Sequence, residues 1–154
     1  MKPELRIFQD SERLSRHAAN LFIEESNQSI RERNRFLVAL NGGGTPTRLF
    51  QLLASEYQVD WGKAHVFWGD ERCVPPNDAG SNFHQANEIF LSKVAIPENN
   101  IHRVLGELDP ATASKKYAEA LKSFADSNLD FPRFDLVYLG MGEDGHTASL
   151  FPNS

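Results

Sequence analysis

Three times in this chain an apolar run of strand length ends at a polar, glycine-bearing loop, and that repetition restricts the fold more than any other feature. Phe36 to Leu40 gives way to Asn41-Gly42-Gly43-Gly44-Thr45-Pro46, Ala64 to Trp68 to Gly69-Asp70-Glu71-Arg72, and Phe134 to Leu139 to Gly140-Met141-Gly142-Glu143-Asp144-Gly145-His146. Runs this short and this apolar read as buried strands. Between them lie helical stripes: Leu14, Ala18, Leu21 and Phe22 within residues 11–34; Leu49, Leu52, Leu53 and Tyr57 behind Pro46; Phe83, Ala86, Phe90 and Val94 behind a Ser81 cap. A further stripe, Ala113, Tyr117, Ala120, Leu121 and Phe124, follows Asp109-Pro110. Alternating strands and helices predict an α/β fold with a mainly parallel sheet and right-handed crossovers. Leu5 to Phe8 reads as a short edge strand and Ile101 to Val104 as a fourth strand. In such a sheet ligands bind beyond the carboxyl ends of the strands, so the three loops are expected on one rim.

Bulk properties narrow the partners. The 154 residues suit one domain with a sizeable core. A formal net charge of −5, with scattered signs and no basic run, argues against nucleic acid and anionic membranes as partners. The single cysteine, Cys73, permits no intrachain disulfide and reads as a small buried residue. The opening MKPELRIFQD lacks an apolar signal core, and no apolar run approaches spanning length, so a cytoplasmic protein is expected.

The loops carry the chemistry. Thr45 reads as an N-cap and Pro46 as the first helical residue, which puts Gly42, Gly43 and Gly44 where free N–H groups and the helix dipole favour an anion. A plain tight turn would read the same way. Gly140-x-Gly142-x-x-Gly145 formally matches a dinucleotide fingerprint, but the helix, strand and acidic residue that motif requires do not follow it in this sequence. His146 is either a base oriented by Asp144 or a structural histidine. A metal held by His146, Asp144 and Glu143 would lack a second histidine at ligand spacing. Arg72 either faces the rim or is consumed in an ion pair with its acidic neighbours, Asp70 and Glu71. Arg48 reads as solvated, and His17, His65, His84 and His102 have no supporting constellation. An anion loop, an arginine and a histidine with a carboxylate suit a phosphorylated substrate attacked by base-activated water.

Three motifs, in order, carry a family resemblance. NGGGTP at Asn41 to Pro46, FWGDERCVP at Phe67 to Pro75 followed by Ser81-Asn82, and LGMGEDGHTASLFP at Leu139 to Pro152 closely resemble those of 6-phosphogluconolactonases. The resemblance implies a Rossmann-like three-layer α/β/α fold of the phosphosugar isomerase/CoA-transferase type, shared with glucosamine-6-phosphate deaminases. It implies hydrolysis of 6-phosphoglucono-δ-lactone in the pentose phosphate pathway, without metal or organic cofactor. By the same resemblance His146 is the general base, Asp144 supports the imidazolium, and Arg72 faces the oxyanion or the phosphate. Gly42, Gly43, Gly44 and Thr45 receive the phosphate, with Asp70 and Gly142 completing the binding residues. Deaminases look different at two positions: Arg72 stands where they have tyrosine and Phe151 where they have a glutamate. Gly44 stands where many lactonases have serine. Lactonases also continue beyond the LFP motif, so a single domain lacking its C-terminal strand–helix units is expected, with an exposed edge strand.

Overall fold

The computed structural model describes residues 3–152. Four parallel strands form one sheet: β1 (Phe36–Leu40), β2 (Ala64–Trp68), β3 (Ile101–His102) and β4 (Leu136–Val137), in the order β3-β2-β1-β4. β1 and β2 pair along their full length, from Phe36 opposite Ala64 to Leu40 opposite Trp68. Among the described residues four α-helices accompany them: α1 (Ser11–Arg33), α2 (Thr47–Ser55), α3 (Asn82–Ile89) and α4 (Pro110–Lys122).

The two faces of the sheet are covered unequally. Alternate strand residues Phe36, Val38, Leu40, Ala64, Val66 and Trp68 pack with Phe22 of α1, Leu52 and Leu53 of α2 and Ala86 of α3. Among the described residues the opposite face buries a smaller cluster, Leu37, Ala39 and Phe67, under Tyr117 and Leu121 of α4 and the nearby Phe124. That is a three-layer α/β/α arrangement, as the sequence predicts.

Local chemistry sets the helix ends. Asp10 caps α1, accepting from the Arg13 N–H at 2.7 Å, and Asn34 stops it in the left-handed region at φ 56°. Asp109 caps α4, with Pro110 in its first turn. Arg48 is not merely solvated: it pairs with Glu12 and Glu56, which also bind Arg16, so four charges tie α2 to α1.

Several expectations are corrected. Residues 5–8 form no strand. The fourth strand covers only Ile101–His102. The run at 134–139 is not a buried strand. Only Leu136 and Val137 join the ladder, at the sheet edge, and Val137 and Leu139 are 45% and 61% exposed. An apolar run therefore marks a strand here without marking its burial. Cys73 is exposed, because it follows the sheet into a surface loop.

His65 and His102 do have a partner: each other. Nδ1 of His65 lies 3.2 Å from Nε2 of His102 on adjacent strands, beside Phe67 and Phe124. Burial, reinforced by His65, pushes the His102 pKa down to about 4; burial, then Arg35, lowers that of His65.

Candidate active site

The three loops meet. A cleft of about 210 Å³ opens at the carboxyl ends of the strands. Its lining includes Gly42, Gly43 and Thr45 after β1, Asp70 and Arg72 after β2, and Gly142 and His146 after β4. Asn41, Asn82, Gly140, Met141 and Ala148 complete it. Because β1 lies between β2 and β4, the glycine loop is flanked by the acidic–arginine loop on one side and the histidine loop on the other.

The glycine loop departs from expectation in two details. Thr45 is not the N-cap; α2 starts at Thr47 and Pro46 precedes it without a side-chain cap. The Thr47 N–H instead reaches the Gly44 carbonyl at 3.3 Å, so Thr45 and Pro46 form a turn before the helix. Thr45 is thereby left exposed on the cleft wall. Gly44 does not line the cleft, whereas Gly43 does, and with φ at +94° it holds a conformation that favours glycine.

The second loop divides its charges. Glu71 does not fix Arg72 by an ion pair. Its carboxylate accepts from the backbone N–H groups of Arg72, Asn82 and Phe83 at 2.8, 2.7 and 2.9 Å, and from Ser81 Oγ at 3.0 Å. It thus holds the start of α3, where a negative charge meets free N–H groups and the dipole. Asp70 is held by Asn82, whose Nδ2 donates to the Asp70 carbonyl at 3.0 Å. Among the described residues the exposed Arg72 guanidinium has no ion pair or hydrogen bond, and it borders the cleft.

The third loop builds a hydrogen-bonded imidazole. The Asp144 carboxylate receives the His146 backbone N–H at 3.1 Å and lies 2.5 Å from His146 Nδ1. The backbone N–H, then the imidazole, holds the Asp144 pKa below its usual value. With the Nδ1 proton directed at Asp144, Nε2 is the nitrogen left to accept one. The ring stacks on Phe151, centroids 4.8 Å apart. Gly142 makes room for it, since a Cβ there would lie 2.2 Å from the ring. Among the described residues no three His, Cys, Asp or Glu side chains gather as metal ligands, and Glu143 does not line the cleft. The sequence suggests Glu71 only as an ion-pair partner of Arg72 and assigns Asn82 no role; Ser81, a helix cap close behind a loop with a spare carboxylate, is the signal for both.

Comparison with known proteins gives this arrangement a family. Residues 9–154 match the family described as glucosamine-6-phosphate isomerases/6-phosphogluconolactonase. The chain belongs to that family. Relatives in it include the 6-phosphogluconolactonase of Nostoc sp. (strain PCC 7120 / SAG 25.82 / UTEX 2576), 40% identical over all of this chain and 65% of its own length. That of Treponema pallidum (strain Nichols) is 36% identical over 96% of this chain and 60% of its own. The crystal structure of 6-phosphogluconolactonase from Thermotoga maritima superimposes with a TM-score of 0.84 at 33% identity, covering 96% of this chain and 63% of that one. The Trypanosoma brucei 6-phosphogluconolactonase gives 0.80 at 29% identity, over 99% and 65%. The chain thus spans under two thirds of the length of these relatives. The family's α/β fold is that of the sheet described above.

Proposed function

We propose that this chain carries the catalytic imidazole and the anion-binding loops of a 6-phosphogluconolactonase, which hydrolyses 6-phospho-D-glucono-1,5-lactone to 6-phospho-D-gluconate in the oxidative branch of the pentose phosphate pathway. The observation that supports it is His146, bonded to Asp144, sharing one cleft with the glycine loop and with Arg72, which has no ion pair among the described residues. His146 Nε2 takes a proton from water as its oxygen attacks the lactone carbonyl. Collapse of the tetrahedral intermediate breaks the bond to the ring oxygen, which recovers the proton from the imidazolium and leaves as the C5 hydroxyl. Asp144 keeps the imidazole in the required tautomer and steadies its charge. Base catalysis of this kind contributes about 10²–10⁴-fold.

Arg72 and the loop of Gly42, Gly43 and Thr45 take the phosphate; Arg72 also borders an adjoining hollow with Gly43, which favours that role over the carbonyl. Gly44, outside the lining, contributes backbone shape. Asp70 and Gly142 bound the sugar. No residue in this scheme calls on a metal or an organic cofactor. Phe151, stacked on the imidazole, offers no proton for the ring-opening relay of a deaminase. The exposed β4 edge supports the reading of a single α/β domain completed by further C-terminal units. A cytoplasmic setting and a small-molecule partner, with neither nucleic acid nor membrane, complete the proposal; among the described residues no helix is long and apolar enough to cross a membrane.

The test is release of 6-phosphogluconate from the lactone, read by a coupled dehydrogenase and corrected for spontaneous hydrolysis. Turnover above that background is the expected result. Binding of 6-phosphogluconate without turnover would leave a phosphosugar-binding module, and ammonia release from glucosamine 6-phosphate would favour a deaminase.

A further inference from the structure

The first turn of α3 reaches into both anion-facing loops. Asn82 is 4% exposed. Its Nδ2 donates to the Asp70 carbonyl at 3.0 Å and lies 3.5 Å from Asp70 Oδ1. The other half of the carboxamide lies against the glycine loop. A Cβ built on Gly42 would sit 1.8 Å from Asn82 Oδ1 and 2.4 Å from its Cγ. Gly42 does not have the positive φ that would demand glycine, so its neighbour imposes the residue, not its backbone. Gln85, on the next turn, donates to the Gly43 carbonyl at 2.7 Å.

We propose that Asn82 is a positioning residue whose carboxamide sets the spacing between the glycine loop and the Asp70–Arg72 loop, and with it the grip on a substrate phosphate. The proposal rests on the phosphosugar reading of the cleft. The chemistry selects an amide. The Asp70 carbonyl needs a donor, and a flat group must pass over Gly42 without a Cβ in the way. An aspartate would set a carboxylate against the Asp70 carbonyl and carboxylate. An alanine would leave that carbonyl without its donor and the two loops without a spacer. Arg72, two residues beyond Asp70 and without an ion pair of its own among the described residues, takes its place in the cleft from this loop.

The test combines Asn82→Ala, Asn82→Asp, Gly42→Ala and the Gly42→Ala/Asn82→Ala double variant of the full chain. Amide hydrogen exchange and 6-phosphogluconate binding are measured for each. Asn82→Ala should speed exchange in residues 42–45 and 70–72 about tenfold, leave α1 unchanged and weaken binding about tenfold. Asn82→Asp should weaken it further. In turnover the loss should fall on KM, with kcat retained, because the His146 loop is untouched. Gly42→Ala should weaken binding strongly in the parent but add clearly less in the Asn82→Ala background, where the 1.8 and 2.4 Å clashes are gone and the remaining Asn82 atom, Cβ at 3.1 Å, has only to give slightly. Asn82→Ser, which keeps a hydroxyl donor, gives the same pattern in smaller measure and serves if the alanine variant does not fold. Unchanged exchange in both loops, or independent effects of the two alanines, would overturn the proposal. If the parent chain binds no 6-phosphogluconate, the phosphosugar reading fails instead, and exchange and the stability of the double variant still decide whether Asn82 couples the loops.

Discussion

The two walls of the cleft are held in different ways. On one side the glycine and Asp70–Arg72 loops are tied to α3 by Glu71, which accepts four hydrogen bonds, and by the buried Asn82. On the other, the His146 loop is largely tied to itself. Gly142 N–H meets the His146 carbonyl at 2.8 Å, Thr147 Oγ1 meets the Gly140 carbonyl at 2.9 Å, and Thr147 and Leu150 exchange backbone bonds at 3.2 and 2.9 Å. Its supporting strand, β4, is short and half exposed. The wall that would grip an anion is therefore braced by the body of the domain, whereas the wall that would move a proton is braced by its own turns. Binding strength and chemical rate should accordingly respond to different substitutions.

The largest effect expected is on rate. His146→Ala should reduce lactone hydrolysis by about 10²–10⁴-fold while 6-phosphogluconate binding and thermal stability stay near parental values. A variant hydrolysing as fast as the parent would remove the imidazole from the chemistry. Next comes Glu71→Ala, which leaves the first N–H groups of α3 without their carboxylate. It should cost about 2–3 kcal/mol in urea unfolding and weaken binding as the braced wall loosens. A stability loss confined to a few tenths would show that this wall is no better held than the other.

Acid distinguishes the walls from the scaffold. Protonating His102, whose pKa is about 4 in the fold and about 6.5 when unfolded, is penalised in the native state. The unfolded chain then binds more protons between those values, so stability should fall as the pH drops from about 6.5 toward 4. His102→Phe should flatten that slope in denaturant titrations; an equally steep slope would assign acid sensitivity elsewhere. The smallest change is Phe151→Leu. Losing the ring stacked on His146 should cost about 0.5–1.5 kcal/mol of local order, read as faster amide exchange in residues 142–147, with α3 unaffected.

Much of this is legible in the sequence alone. The run-then-loop pattern located β1 and β2 to the residue, and the rule that ligands sit at strand carboxyl ends brought Gly43, Arg72 and His146 into one cleft. What was not legible depended on partners distant in the chain. Glu71 looks like any acidic neighbour of Arg72 until α3 folds back and presents its N–H groups. Arg48 looks solvated until α1 brings Glu12 beside it. His65 and His102 acquire meaning only when β2 and β3 pair. The 134–139 run misled because hydrophobicity reports what a strand can bury, not what neighbour it has.

The strand order β3-β2-β1-β4 also fixes which loops face one another across the site. Arg72 follows β2 and His146 follows β4, with the whole of β1 between them, so the strands that launch the two loops are separated by two inter-strand spacings, roughly 10 Å. A ligand that met both would therefore be held from two sides, by loops launched on either flank of β1.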